Sequence, residues 1–305
     1  MIAVDAMGGD NAPEQIVQGA LLAAKAQVPI TLFGQEKRII SILESFDSSW
    51  RQHNISIYDA PEVIGMAEEP VGAIRKKRNS SIVQAIKSIV GKENSAIVSA
   101  GNSGAIMVAA TFILGREKGV SRPAIVGELP IRSGKVLCLD IGANTDCKPE
   151  NLLQFAYLGN QYAKKIFNLN SPRIALLSNG CEEGKGSLLV KQAFALLTKA
   201  DFNFVGNIEP AGIFKNKTDV VVCDGFAGNV LLKTIEAVQQ AFNLKSGAIE
   251  NGGALLAGVN GTVVISHGNA DAQAIQNAIL FAFKNSIKEK VTHGTFKESV
   301  SSLAT

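Results

Sequence analysis

Short apolar runs alternate with longer amphipathic stretches along nearly the whole chain, and most apolar runs stop at glycine, asparagine, serine or aspartate. The first repeat of this pattern, IAVDAMGGDNAPEQIVQGALLAAKA, predicts a strand, a glycine-bearing loop and a helix. Asp10 or Asn11 is the expected N-cap, with Pro13 in the first turn and Glu14 after it. PITLFGQ, QEKRIISILESF and ISIYDA follow as strand, helix and strand, and PEVIGMAEEPVGAIRKKRNSS reads as an irregular piece. SSIVQAIKSIV predicts a helix capped by Ser80 or Ser81, and SAIVSAGNSGAIMVAATFIL a strand, loop and helix. AIVGELPIRSGKVLCLDIGANTD reads as two strands turning at SGK, followed by the helix PENLLQFAYLGNQYAKKIF. The remainder repeats the theme from the strand of RIALLSNGCEEGKGSL, through FNFVGNIEP and DVVVCDGFAGNVLLKTIEAVQQAF, to GTVVISHGNADAQAIQNAILFAFKNSI.

Such alternation marks a parallel α/β sheet, in which ligands bind beyond the carboxyl ends of the strands. Five or six successive strand ends carry Asp, Asn, Ser or Gly, which implies one shared crevice there. The most concentrated of these ends follows Ile174–Leu177, where Glu182, Glu183, Gly184, Lys185 and Gly186 precede a helical pattern. Glycines flanking a lysine at a helix start let backbone N–H groups approach an anion, although a charged surface turn would have the same composition. The loop with Asp5, Gly8, Gly9 and Asp10 and the turn with Ser99, Asn102 and Ser103 are two further candidates; for the second, close helix packing is an alternative reason for the glycines.

Composition narrows the picture mainly by exclusion. With 305 residues, 46% hydrophobic and 19% charged, the chain can bury a large core in one or two domains. A net charge of +3 is too small and dispersed to make nucleic acid the main partner. The four cysteines are widely spaced without a CxxC pair, so reduced thiols in a cytoplasmic compartment are expected, with no metal site. MIAVDAMGGD has neither the basic start nor the apolar core of a leader, and no uninterrupted apolar window reaches spanning length. GxSxG, P-loop and GxGxxG patterns are absent, which weakens serine-hydrolase, nucleotide and dinucleotide readings. What remains is anion cradles, Lys185, asparagine amides and a few carboxylates, a set suited to holding phosphate and stabilising an oxyanion. Arg75, Lys76, Lys77 and Arg78 form the one dense cationic run, either a solvated face or a docking patch for an acidic partner.

Over nearly its full length the sequence resembles the PlsX family of phosphate acyltransferases. The motifs are VDAMGGDNAP, IRKKRNSS, VSAGNSGA, SRPAI, LDIGANTDCKPENL, EEGKGSLLVKQA, GNIE, DVVVCDGFAGNVLLKTIE, ENGGALLAGVNG and HGNADAQAIQNAI. The resemblance implies a single acyltransferase domain over residues 1–305. Its expected fold is a three-layer α/β sandwich with a mostly parallel sheet, like isocitrate and isopropylmalate dehydrogenases. The implied reaction converts long-chain acyl-acyl carrier protein and inorganic phosphate to acyl phosphate and free carrier protein, without a cofactor, for bacterial phospholipid synthesis. The implied partners are acyl carrier protein, a second copy of the chain, the inner membrane surface and a downstream glycerol-3-phosphate acyltransferase.

Carried onto this chain, Lys185, Asn229 and His267 are the expected catalytic residues. Asp5, Gly8, Gly9, Asp10, Ser99, Asn102, Ser103, Gly184, Gly186, Asp224 and Gly228 are expected to line the phosphate and substrate site. His267 also has a plain alternative, a hydrogen bond to backbone at a strand end. In one place the chain departs from the family: where relatives carry a longer segment with amphipathic helices near the dimer interface, only LKSGAI separates VQQAFN from ENGGALLAGV. Acetyl-CoA-dependent phosphate acyltransfer, a metal- and NAD-dependent dehydrogenase on the same fold, and a non-catalytic scaffold are the competing readings.

Overall fold

The computed structural model describes residues 1–131, 134–242 and 252–289. In chain order the elements are β1 (Ile2–Asp5), α1 (Glu14–Lys25), β2 (Ile30–Gly34), α2 (Glu36–Phe46), β3 (Ile55–Asp59), α3 (Pro70–Lys76), α4 (Ser81–Val90), β4 (Ala96–Ser99) and α5 (Ser103–Ile113). They continue with β5 (Ala124–Ile131), β6 (Gly134–Leu139), α6 (Pro149–Phe167), β7 (Ile174–Leu177), α7 (Leu188–Leu197), β8 (Phe204–Ile208), α8 (Pro210–Ile213), β9 (Val220–Val222) and α9 (Gly225–Ala241). The last three are β10 (Gly253–Ala257), β11 (Thr262–Ser266) and α10 (Ala272–Glu289).

These elements form two compact units. One takes in Met1–Glu117 together with 252–289, and the other takes in 118–242. In the first unit the strand order is β3-β2-β1-β4-β11-β10, parallel throughout except for the antiparallel β10–β11 pair. Every residue of β1, β4, β10 and β11 is buried, as expected of strands covered on both faces. Helices α1 and α10 pack on each other, with α10 against β1, β4 and β11, while α4 packs on β1, β2 and β4 beside α5. In the second unit the order is β5-β6-β9-β7-β8, parallel except for the β5–β6 hairpin, with α6 against β6, β7 and β9. The sequence therefore reads correctly as α/β with mostly parallel strands and helical layers.

The differences are local. The segment expected to be irregular contains α3, which starts at Pro70 behind a Glu69 cap whose carboxylate accepts from Val71 N and Gly72 N. Strand β10 was not expected from GGALLAG. Helix α1 begins at Glu14 with Pro13 in the N-cap position and no side-chain cap; neither Asp10 nor Asn11 caps it. Asn11 instead donates to the carbonyls of Asn269 (3.0 Å) and Ala270 (3.5 Å), fastening the loop after β1 to the loop after β11. Strands β5 and β6 pair up to Ile131 and Gly134, and the two residues between them lie outside the described residues, as does the LKSGAI segment.

Inside the second unit's sheet, Arg173 and Asp219 tie the entries of the neighbouring strands β7 and β9. Asp219 accepts from Arg173 N (2.7 Å), Nε (3.0 Å) and Nη2 (2.8 Å). Burial pushes the Asp219 carboxyl up, but the guanidinium and the N–H outweigh burial and hold it below the usual carboxylate range. A depressed folded-state pKa gives stability that is present above the unfolded value of about 3.9 and is lost as pH falls through the folded value. Asp219→Asn is expected to cost about 1–3 kcal/mol at neutral pH, with the gap to the parent closing below about pH 4. Urea unfolding at pH 7 and pH 3 checks this; an equal gap at both values would assign the loss to something other than the ion pair.

Candidate functional site

In the first unit the site residues gather at the carboxyl ends of β1, β4 and β11, which lie side by side in parallel register. Asp5, the last residue of β1, is fully buried. Its carboxylate accepts from the Ser99 hydroxyl (2.6 Å), from the last residue of β4, and from Met7 N (3.2 Å). Burial pushes its pKa up, while the hydrogen bonds from Ser81, Ser99 and the backbone pull it down. Gly8 rests on this carboxylate, and a Cβ there would overlap Asp5 Oδ2 and press on Gly101. Asp5, Gly8 and Ser99 thus form the floor beneath the loop.

The groups that face solvent are different ones. Asp10 and Ser103 are exposed and His267 is half-buried. Asp10 N donates to Gly268 O (2.7 Å), which brings Gly9 and Asp10 onto the His267 loop. Asn102 is buried: its Oδ1 accepts from Ala105 N (3.0 Å) to cap α5, and its Nδ2 donates to the carbonyls of Met66 (3.1 Å) and Glu68 (2.9 Å). That amide shapes the loop that leads into α3.

The cationic run at the end of α3 separates into two roles. Arg75, Lys76 and Arg78 are exposed, whereas Lys77 turns back to pair with Glu68 and to donate to Val63 O (2.7 Å). The Glu68 carboxylate is held below its usual range, chiefly by that lysine.

In the second unit the loop after β7 carries Lys185, which is exposed along with Glu182, Glu183 and Gly184. The loop is anchored at both ends. Asn179 Oδ1 accepts from Gly186 N (2.9 Å), and Asn207 at the end of β8 donates through Nδ2 to Glu182 O (2.9 Å). Gly186 has a φ of 99°, and a Cβ there would collide with Val190; Gly184 has open space around it. Ser187 caps α7, accepting from Val190 N (3.3 Å).

Two strands away, Asp140 directly follows β6, and its carboxylate gathers five donors. Oδ1 accepts from Ile125 N (3.0 Å), Gly142 N (3.1 Å) and Ala143 N (2.9 Å), and Oδ2 from Asn144 N (2.6 Å) and Asn144 Nδ2 (2.9 Å). Burial pushes this carboxyl up against those bonds. Helix α9 starts against the same loop. Asp224 caps it by accepting from Ala227 N (2.8 Å), Gly225 N donates to Asn144 O (2.7 Å), and the half-buried Asn229 donates through Nδ2 to Ile141 O (3.2 Å). The close approach is made at Gly228, where a Cβ would overlap Asp140 O. In sequence LDIGANTD is one polar strand end among several and does not single out Asp140; the available signal for a loop wrapped around it is a carboxylate followed, after Ile141, by Gly-Ala-Asn.

The four thiols are free. Cys138 and Cys223 are buried with sulfurs 3.9 Å apart, Cys147 is half-buried and Cys181 is exposed beside the Lys185 loop. Contact with Cys138 and burial push the Cys223 thiol up, and burial pushes Cys147 up to about 11. Among the described residues no group of three or more His, Cys, Asp or Glu is arranged to hold a metal. No helix there is long and apolar enough to cross a membrane.

The fold is that of the phosphotransacylases and their dehydrogenase neighbours. A phosphotransacetylase from Streptococcus pyogenes superposes with a TM-score of 0.68 at 18% identity, over 94% of both chains. A 4-hydroxythreonine-4-phosphate dehydrogenase from Klebsiella pneumoniae gives 0.61 at 16% identity, over 94% of this chain and 99% of the other. Sequence goes further than fold: residues 1–246 match the family described as "Fatty acid synthesis protein". A phosphate acyltransferase of Pelotomaculum thermopropionicum is 46% identical over 92% of this chain and 90% of its own length. The chain belongs to this family, the PlsX phosphate acyltransferases that its motifs resemble.

Proposed function

We propose that this chain transfers the long-chain acyl group of an acyl carrier protein thioester to inorganic phosphate. A phosphate oxygen attacks the thioester carbonyl, the carbon–sulfur bond breaks, and the carrier's thiol leaves with a proton. The observation that carries the reading is the Lys185 loop, a glycine-flanked, exposed lysine on a backbone anchored by Asn179 and Asn207 at the start of a capped helix. Lys185 and the loop N–H groups hold phosphate, Asn229 orients it or donates to the oxyanion, and His267 assists the leaving thiol. Asp5, Gly8, Ser99 and Asn102 serve this chemistry by shaping loops, with Asp10 and Ser103 facing substrate; Asp224 and Gly228 do the same for Asn229.

The product is consumed by a glycerol-3-phosphate acyltransferase at the inner membrane surface, where the enzyme makes peripheral contact from the cytoplasm. A homodimer fits the exposed apolar residues Phe226, Val230 and Val238 along α9 and Phe242 just past its end. The decisive assay is acyl phosphate formation from long-chain acyl-acyl carrier protein and phosphate, with acetyl-CoA run in parallel. Product from the carrier thioester alone supports the reading, and product from acetyl-CoA alone overturns the acyl donor.

Acyl carrier proteins are acidic, so the three outward cations Arg75, Lys76 and Arg78 are their docking patch. Reversing those three charges is expected to raise KM for the carrier protein about tenfold, with KM for phosphate unchanged, as loss of roughly 1.4 kcal/mol of docking energy requires. An equal rise in both constants would return the patch to the role of a solvated face. Lys77 is excluded from the test because it holds Glu68.

A further inference from the structure

Asn229 carries an amide that can present either of two ends, and the chemistry assigned to it depends on which end faces substrate. Its Nδ2 is committed to Ile141 O at 3.2 Å. That carbonyl belongs to the same peptide unit as Gly142 N, which donates to Asp140 Oδ1 at 3.1 Å. The C=O and N–H of a trans peptide point in opposite directions. Turning the Gly142 N–H inward to the buried carboxylate therefore turns the Ile141 carbonyl outward, to where Asn229 meets it.

The rest of the loop leaves that peptide plane little freedom. Ala143 N and Asn144 N bend around the same carboxylate, Ile125 N reaches it from β5, and Asn144 Nδ2 bridges Asp140 Oδ2 to Pro123 O (2.8 Å). On the far side Gly142 packs against Asn229, a Cβ built there lying 3.0 Å from Nδ2, and Gly228 holds α9 on the Asp140 carbonyl. We propose that Asp140 is a positioning residue for Asn229, acting through the single peptide plane between Ile141 and Gly142 to fix which end of the Asn229 amide meets the acyl and phosphoryl groups. The proposal rests on the functional reading above for what Asn229 does, but not for how it is held.

Asp140→Asn puts an amide NH₂ against groups that already donate, so the peptide plane turns and the Asn229 amide loses its partner. The expected result is a kcat about 10–100-fold lower, the scale of a misplaced reacting group, with KM for the acyl carrier protein within about twofold. The distinguishing measurement is the cycle with Asn229→Ala. If Asp140 acts through Asn229, the double variant is at most about twofold slower than Asn229→Ala alone; losses that multiply overturn the proposal. Asn144→Ala, which loosens the carboxylate from one side, is expected to show a smaller loss with the same non-additivity, and it carries the cycle if Asp140→Asn does not fold.

A second readout is independent of turnover. In ¹⁵N-asparagine-labelled protein the Asn229 side-chain amide signal, identified by its absence in Asn229→Ala, should shift and exchange faster with solvent in Asp140→Asn or Asn144→Ala. An unmoved signal overturns the relay even in an active enzyme. A parent protein that forms no acyl phosphate overturns the functional reading, and the amide signal then decides the relay by itself.

Discussion

Lys185→Ala is expected to lower turnover by about 10²–10³-fold at saturating acyl carrier protein, the scale reached when a group stabilising transition-state charge is removed. The argument is geometric as much as electrostatic. The lysine is exposed on a loop whose backbone is tied by Gly186 N to Asn179 and by Glu182 O to Asn207, so its charge is delivered from a fixed base. Phosphate carries its negative charge into attack on the thioester, and a cation beside it lowers the cost of bringing it up to the carbonyl. Steady-state kinetics with phosphate as the varied substrate is the check. Near-normal turnover of the variant at saturating phosphate would show that Lys185 only collects phosphate or does not touch it.

A large loss of stability is expected at Gly228. Its Cα sits against the Asp140 carbonyl and the Cys223 sulfur, and a methyl group would overlap backbone rather than a side chain able to swing away. Overpacking of a closed site costs about 1–3 kcal/mol, and here the upper end or beyond is expected because α9 must move bodily. Movement of α9 also breaks the Asn229 bond to Ile141, so Gly228→Ala should lose activity below its unfolding transition as well as stability. Urea unfolding and assays on the folded variant read the two losses separately. A variant as stable as the parent would mean that α9 does not approach the Asp140 loop this closely.

Periodicity was legible wherever an element was long or continuously apolar. Strands β1, β4, β7, β9 and β11, with the helices that follow, stand where the alternation of runs and loops puts them. Helix α3 escaped because seven residues are too few to show a helical period, and its one local signal is Glu69 before Pro70. Strand β10 escaped because Gly253–Ala257 is built from glycine, alanine and leucine without a β-branched residue, a run as compatible with helix as with strand. The cap of α1 was misread since Asn11 has a longer-range demand on its amide, the carbonyls of the β11 loop.

The site was legible as motifs but not as roles. Asp5 and Asp10 look alike in VDAMGGD, yet one is buried under the loop and the other faces solvent, a difference set by Ser99 arriving from a strand 94 residues later. Arg75, Lys76, Lys77 and Arg78 are equivalent in sequence until Glu68 draws Lys77 into an ion pair. Asp140 is the clearest case: three of its five donors are backbone N–H groups of the loop that follows and one comes from β5, so its importance lies in directions of peptide planes that no residue pattern spells out.

The unequal placement of the four sulfurs provides a spectroscopic handle without mutagenesis. Cys138 and Cys223 are sealed in the interior and Cys147 is half-covered with its thiol pushed up to about 11, which leaves Cys181 as the sulfur open to solvent. A maleimide dye added near neutral pH should therefore attach at that one place, four positions before Lys185. Fluorescence from it would follow phosphate arriving at the loop in real time, before any acyl donor is supplied.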